Sequence, residues 1–231
     1  MELGKTPRKN QNEIMTKPLV LKPNLISKTQ ATRLYQMPVP VIGLTGGIAT
    51  GKSTVAQMLM DRGLAVISAD KLVKNIYGTL EAKNFIQQNY PQCFKQDDQS
   101  IDFKTLRKLV FENPQIKTQI ENFIYQRMPA QFTNAFQAFS SPQVVVYDVP
   151  LLFEKKLNAL VDVSVCVYLS RDEQILRLMK RDQIDQNLAE NILNEQLPID
   201  EKKRLSDIVI ENTSSLDDLQ IAVDQFIKQC F

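Results

Sequence analysis

The sequence predicts an α/β domain wound on a parallel sheet, and three observations carry that reading. Short apolar runs at 39–44, 64–67, 144–148, 161–169 and 208–210 alternate with longer stretches of helical periodicity. The fourth run is almost continuously apolar, as suits a parallel strand covered on both faces. Between the first run and the first helical stretch stands Gly46-Gly-Ile-Ala-Thr-Gly-Lys-Ser53, which fits G-x-x-x-x-G-K-[ST], the phosphate-binding loop.

Strand, glycine-rich turn and helix follow in the order that such a loop requires. The run at 39–44 carries its one proline at the entrance, where a strand tolerates it. The stretch at 54–60 packs through Val55 and Leu59. Of seven glycines, four (Gly43, Gly46, Gly47, Gly51) fall within nine residues, which concentrates backbone freedom here. Gly46, Gly47, Ile48, Ala49, Thr50, Gly51, Lys52, Ser53 and Thr54 are expected to hold ATP. Backbone N–H groups and the helix N-terminus cradle phosphate oxygens. Lys52 reaches the β- and γ-phosphates, and the Ser53 hydroxyl meets Mg²⁺.

Composition narrows the class. A chain of 231 residues suits one α/β domain with an inserted or appended module. A net charge of +2 gives no strong bias toward nucleic acid or a membrane surface. No apolar run reaches transmembrane length. There is no histidine, which removes His-based acid–base catalysis and His-ligated metals. Cys93, Cys166 and Cys230 are far apart, odd in number and form no C-x-x-C pair, so a reducing, cytoplasmic compartment is expected. The expected state is a monomer or weak homo-oligomer acting on small molecules.

Residues 1–38 stand apart. Residues 1–40 hold seven Lys/Arg against two acids, while 41–231 hold 21 against 24. This arm, rich in Lys, Asn, Gln, Thr and Pro, is expected to be disordered. Leu19-Val-Leu21 is too short for a signal-peptide core, and Met15 and Met37 are alternative starts.

The folded part is expected over 39–231, with its core at about 39–79, 143–169 and 206–231. Gly63 marks the end of the first helix, and the second strand runs into Ser68-Ala-Asp70. Ligands of open α/β sheets sit off the carboxyl ends of the strands. Asp70 therefore arrives at the edge that carries the loop. There it can accept the proton of an attacking hydroxyl, the reading that the loop favours, or merely cap a helix over 71–77. A short helix at 82–88 and a polar loop at 96–100 follow.

The helical block at about 80–142 lies between two strands, so it is an insertion above the sheet, placed to close over an acceptor. Asp102 and Asn113-Pro114 read as helix starts, Pro129 as a break, and Phe132, Phe136 and Phe139 as core packing. Arg107, Lys108 and Arg127 are the charges of interest there, on the surface or at the site. The run at 144–148 ends in an acid, as a Walker-B strand does, and Asp148 is expected to hold Mg²⁺ through water. Glu154 is either a second carboxylate facing the site or a helix-start acid. Ser170 to Glu173 reads as a capping box. Its helix carries Arg177 and Arg181 on one face, either a phosphate clamp or a solvated basic face. Helices at 185–196, from Pro198, and from Ser215 to about Lys228 complete the chain.

These motifs together resemble the dephospho-CoA kinase family, from about Val41 to the C-terminus. The resemblance rests on residues 42–54, Ala69-Asp70, Val149-Pro-Leu-Leu-Phe-Glu154, Arg177 with Arg181, and Gln196 with 203–212. It implies the three-layer P-loop NTPase fold: a five-stranded parallel sheet, the helical acceptor-binding insertion and a small helical lid at about 170–205. It implies transfer of the γ-phosphoryl of ATP to the ribose 3′-hydroxyl of dephospho-CoA, the last step of coenzyme A biosynthesis. Asp70 matches the base, and Arg177 and Arg181 would meet ATP phosphates. Three positions depart from the pattern. Ser68 stands where the family often has Asp, Lys74 where it often has Arg, and Met128 where it usually has His. Lysine cannot reproduce a bidentate guanidinium contact and methionine donates no hydrogen bond, so the departures bear on the acceptor rather than on phosphoryl chemistry. The competing readings are another small-molecule P-loop kinase, such as a nucleoside monophosphate or shikimate kinase, and a non-catalytic nucleotide-binding module. No D-x-x-G or N-K-x-D occurs, which leaves a switch GTPase without its residues.

Overall fold

Each apolar run becomes a strand of one parallel sheet in the computed structural model, which describes residues 18–95, 97 and 99–231. β1 (Val41–Gly46) ends at the glycine-rich loop and α1 (Lys52–Asp61) leaves it. β2 (Ala65–Ser68) passes directly into α2 (Ala69–Gly78), followed by α3 (Leu80–Asn89). β3 (Phe94–Lys95) and β4 (Ser100–Ile101) pair antiparallel where only a polar loop was expected. Phe94 and Ile101 face each other and are both buried, which gives the hairpin an apolar reason to form. Gln96 and Asp98 of that loop lie outside the described residues.

The insertion continues with α4 (Phe103–Glu112), α5 (Pro114–Tyr125) and α6 (Met128–Gln137). Asp102 and Asn113 cap the first two through their side chains, and Pro129 sits in the first turn of the third. β5 (Val145–Asp148) and β6 (Val163–Tyr168) return to the sheet. α7 (Arg171–Asp182), α8 (Gln186–Asn194) and α9 (Ile199–Leu205) lead to β7 (Ile208–Glu211) and α10 (Leu216–Cys230).

The strand order is β2-β5-β1-β6-β7, with every pairing parallel. β1 is central: Val41 faces Val145 on one side, and Ile42 faces Val163 on the other. The chain leaves β1 to one side and crosses to the other after β5. That reversal puts a crevice at the carboxyl ends, where the loop and Asp70 arrive. Side chains alternate between two cores. Val145 and Tyr147 join Ile76 and Phe132 on the insertion side, and Val144 and Val146 join Leu59 and Phe226 on the side of α1 and α10. Each such burial contributes about 1.5–3 kcal/mol.

The arm corrects one expectation. Disorder was expected over 1–38, yet residues 18–38 are packed on the domain. Leu21 is buried in the core that holds Phe226, while Leu34 and Met37 are buried in the core that holds Phe132. The Lys22 backbone N–H donates to the Cys230 carbonyl at 2.8 Å. Its ammonium donates to the Lys228 and Gln229 carbonyls at 2.7 and 2.8 Å, the electronegative end of α10. The buried Arg33 guanidinium grips Asp162 at 2.7 Å. Composition averages over the arm, whereas three apolar side chains and one ion pair suffice to hold it. Residues 1–17, Met15 included, lie outside the described residues.

Candidate active site

A cavity of about 1070 Å³ opens at the carboxyl ends of β1, β2 and β5. Gly46, Gly47, Ile48, Ala49, Gly51, Lys52 and Ser53 form one wall, Asp70 another, and Arg177 and Arg181 reach it from α7. The residues that the sequence placed at the site thus largely converge.

The loop is held from behind. Gly51 has φ +86°, and a Cβ there would come 2.3 Å from Asn212 Nδ2. That same Nδ2 donates to the Thr50 carbonyl at 2.8 Å. A Cβ on Gly47 would come 2.6 Å from Gln174 Nε2. Ala49 is left-handed at φ 63°, a strain of about 1–2 kcal/mol in the stretch that must curve round phosphate. Asn212 also accepts from Arg177 Nη2 at 3.2 Å through its carbonyl, so one residue joins the loop, the end of β7 and α7.

Three predicted ligands do not reach the cavity wall. Thr50 is fully buried, and its hydroxyl donates to the Gly47 carbonyl at 2.9 Å. The Thr54 N–H is taken up by the Gly51 carbonyl at 2.9 Å. Both shape the loop from within it. Asp148 lies behind Lys52, whose ammonium forms an ion pair with it, both side chains being largely buried. Burial pushes the Asp148 carboxyl up, and the Lys52 ammonium pulls it back down.

The open alternatives resolve unevenly. Asp70 sits within the first turn of α2 rather than at its cap, which is Ser68. Among the described residues nothing hydrogen-bonds to the Asp70 carboxylate or forms an ion pair with it. Glu154 neither faces the site nor starts a helix. It accepts from the Leu197 N–H at 2.9 Å and pairs with Lys202 at 2.9 Å. Lys202 is fully buried and also donates to the Pro150 carbonyl at 2.7 Å, which ties the turn after β5 to α9. Arg127, at the start of α6, binds Glu81 of α3 and covers the Phe123 ring of α5 at 3.5 Å, away from the cavity. Arg181 is half spoken for by its neighbour Asp182, at 2.7 Å.

Sequence reading found only Met128 at the other end of the cavity and missed its tyrosines. Tyr35, Tyr125 and Tyr147 wall it beside Met128, and Lys155 stands 5.2 Å from the Tyr125 ring centre and 3.0 Å from Glu121. Burial raises the Tyr147 hydroxyl well above its usual range, so it stays protonated. Apolar periodicity marked none of these as different from core. Alternation along β5 was the one available signal, since it turns Tyr147 to the insertion side while Asp148 ends the strand.

A family model for dephospho-CoA kinase matches residues 40–218. The chain belongs to the dephospho-CoA kinase family. The Fusobacterium nucleatum dephospho-CoA kinase is 35% identical over 192 residues, 83% of this chain and 99% of that one. The Oceanobacillus iheyensis dephospho-CoA kinase is 33% identical, over 82% and 96% respectively. Among solved structures, dephospho-CoA kinase from Campylobacter jejuni is similar at TM-score 0.58 and 26% identity, covering 82% of this chain and 96% of its own. A Thermus thermophilus protein is similar at TM-score 0.74 and 26% identity, covering 83% and 97%. Family membership makes this P-loop protein a kinase, with ATP as a substrate. Among the described residues no helix is long and apolar enough to cross a membrane.

Proposed function

We propose that the chain transfers the γ-phosphoryl of ATP to the ribose 3′-hydroxyl of dephospho-CoA, with Asp70 as the base. The observation that carries the reading is an unpartnered carboxylate in the very cavity that the phosphate loop opens into. ATP phosphates lie on the loop N–H groups and the N-terminus of α1. Lys52 leaves Asp148 for the β- and γ-phosphates, a short displacement for a flexible four-carbon stem. Arg177 and Arg181 close from α7 and exclude water, which suppresses ATP hydrolysis. Arg181 exchanges Asp182 for phosphate, a stronger partner for a guanidinium. Asp70 orients the acceptor hydroxyl and takes its proton late, and attack is in line.

The donor set fits Mg²⁺. The Ser53 hydroxyl would be a hard oxygen ligand, and the Asp148 carboxylate, set back behind Lys52, would hold the ion through water. Mg²⁺ in such sites keeps several waters and binds through one or two protein oxygens plus substrate phosphates. A dense carboxylate cluster is therefore not needed, and among the described residues there is none. When bound, the ion would neutralise the charge that develops on the transferred phosphoryl group. A cytoplasmic monomer or weak homo-oligomer, with core at about 39–79, 143–169 and 206–231 and a lid at about 170–205, completes the proposal.

The test is a coupled ADP-release assay on the full chain with ATP and Mg²⁺. The acceptors are dephospho-CoA, AMP, shikimate and none. Turnover dependent on dephospho-CoA is expected. Release independent of acceptor, or turnover with another acceptor only, would overturn the assignment.

A further inference from the structure

Tyr35 belongs to the arm, outside the residues 40–218 that the family model matches, yet it lines the same cavity as Asp70 and the phosphate loop. Its placement is specified. Tyr35 and Gln36 both adopt left-handed backbone, at φ 48° and 55°, a conformation unfavourable for residues with a Cβ. Such strain persists only where the surroundings over-determine it. Here they do. Arg33, two residues before, is locked to Asp162 and donates to the Met37 carbonyl at 3.0 Å, and Leu34 and Met37 on either side are buried. The Tyr35 ring meets Phe132 edge-on at 5.2 Å, and Phe132 meets Tyr147 edge-on at 5.1 Å. Phe132 is fully buried, so it buttresses two rings that both border the cavity.

β2 and β5 put this wall beside the reacting group. Ile67 pairs with Tyr147 and Ser68 with Asp148 in register, and Asp70 follows two residues on. Asp70 and these rings line one cavity, so a nucleoside whose ribose hydroxyl meets Asp70 has its base in the same space. We propose that Tyr35 is an acceptor-contacting residue: the arm supplies an aromatic wall, shared with Tyr147 and Tyr125, for the purine of a nucleoside-bearing acceptor. The inference rests on the functional reading above, because Asp70 orients the ribose.

The test uses the full chain with Tyr35→Asn and Tyr35→Phe. Asparagine tolerates left-handed backbone, so it removes the ring and keeps the turn. Phenylalanine keeps the ring. Tyr35→Asn should raise the KM for dephospho-CoA about tenfold, the worth of one base–aromatic contact. The KM for ATP should stay within about twofold, and Tyr35→Phe should stay close to wild type. A purely structural role would lower the melting temperature of Tyr35→Asn and leave the acceptor KM unmoved, which overturns the inference. So does a rise confined to the ATP KM, or a loss in Tyr35→Phe as large as in Tyr35→Asn. The functional reading fails separately, in the wild type: if that turns over AMP instead, the same KM split is read on AMP, and if no acceptor works, both fall.

Discussion

Replacing Arg33 by methionine should cost this protein about 3–5 kcal/mol of stability. Asp162 is the reason. Its side chain is fully buried and its two oxygens accept four N–H bonds. Two come from Arg33, at 2.7 and 3.1 Å, and two from the backbone N–H groups of Lys28 and Val41, at 3.0 and 2.8 Å. Methionine fills much of the arginine stem's volume but leaves a buried carboxylate with half its donors and no counter-charge. Breaking a buried pair from one side costs about 3–5 kcal/mol, mostly through the charge left behind. Asp162→Leu should cost at least as much, because it strands a guanidinium and two backbone N–H groups at once. With a urea m-value of about 3 kcal/mol/M, the unfolding midpoint of Arg33→Met falls by about 1 M or more. If detaching the arm is cheaper than unfolding the domain, the loss appears as protease cleavage within 23–37 at an unchanged midpoint. A variant with both the wild-type midpoint and wild-type protease resistance would refute the account of how the arm is held.

Other outcomes follow from single sites. Asp70→Asn should lower kcat by about 10²–10⁴ at near-unchanged ATP affinity, as loss of a base in the transition state would; near wild-type turnover would remove Asp70 from that role. Gly63→Ala should cost only the left-handed penalty of about 1–2 kcal/mol, since its φ is +85° and nothing lies within 4 Å of the new methyl. Gly51→Ala has the same backbone sign but drives a methyl to 2.3 Å from Asn212 Nδ2, so it should cost more and weaken ATP binding; equal melting temperatures for the two variants would refute that. Burial raises the Cys166 and Cys230 thiols to about 11. Burial disfavours the thiolate, so labelling should stay slow through pH 8 and quicken only toward that value. Stoichiometric labelling of the native chain within seconds at pH 8 would contradict their burial.

The placement of the phosphate loop was legible in sequence because it is local. A loop whose glycines, lysine and serine sit within eight residues needs no tertiary information, and strand alternation delivers Asp70 and Asp148 to the same edge. Boundaries moved by a residue or two, as when α2 began at Ala69 and took Asp70 into its first turn. The aromatic end of the cavity was not legible because it is assembled from separated segments. Tyr35, Tyr125 and Tyr147 lie on the arm, α5 and β5, and each reads as ordinary apolar content in its own stretch. Lys202 is the sharper case. In a helix with Lys203 and Arg204 it reads as one of three surface cations, yet it alone is fully buried, on Pro150 and Glu154.

The departures from the family pattern divide along the same line. Lys74 is exposed on α2 and away from the cavity wall, so its lost bidentate geometry has no acceptor to miss in this arrangement. Met128 is buried and lines the cavity. A thioether there offers contact area and no donor, in a wall already built from aromatic rings. That end of the cavity is therefore walled mainly by rings and a thioether with Lys155 beside them, while Asp70, Lys52, Arg177 and Arg181 supply charge elsewhere in the same cavity. Packing is where an added segment contributes most easily, because a ring needs only position, and the arm supplies one through a single ion pair and two buried apolar anchors.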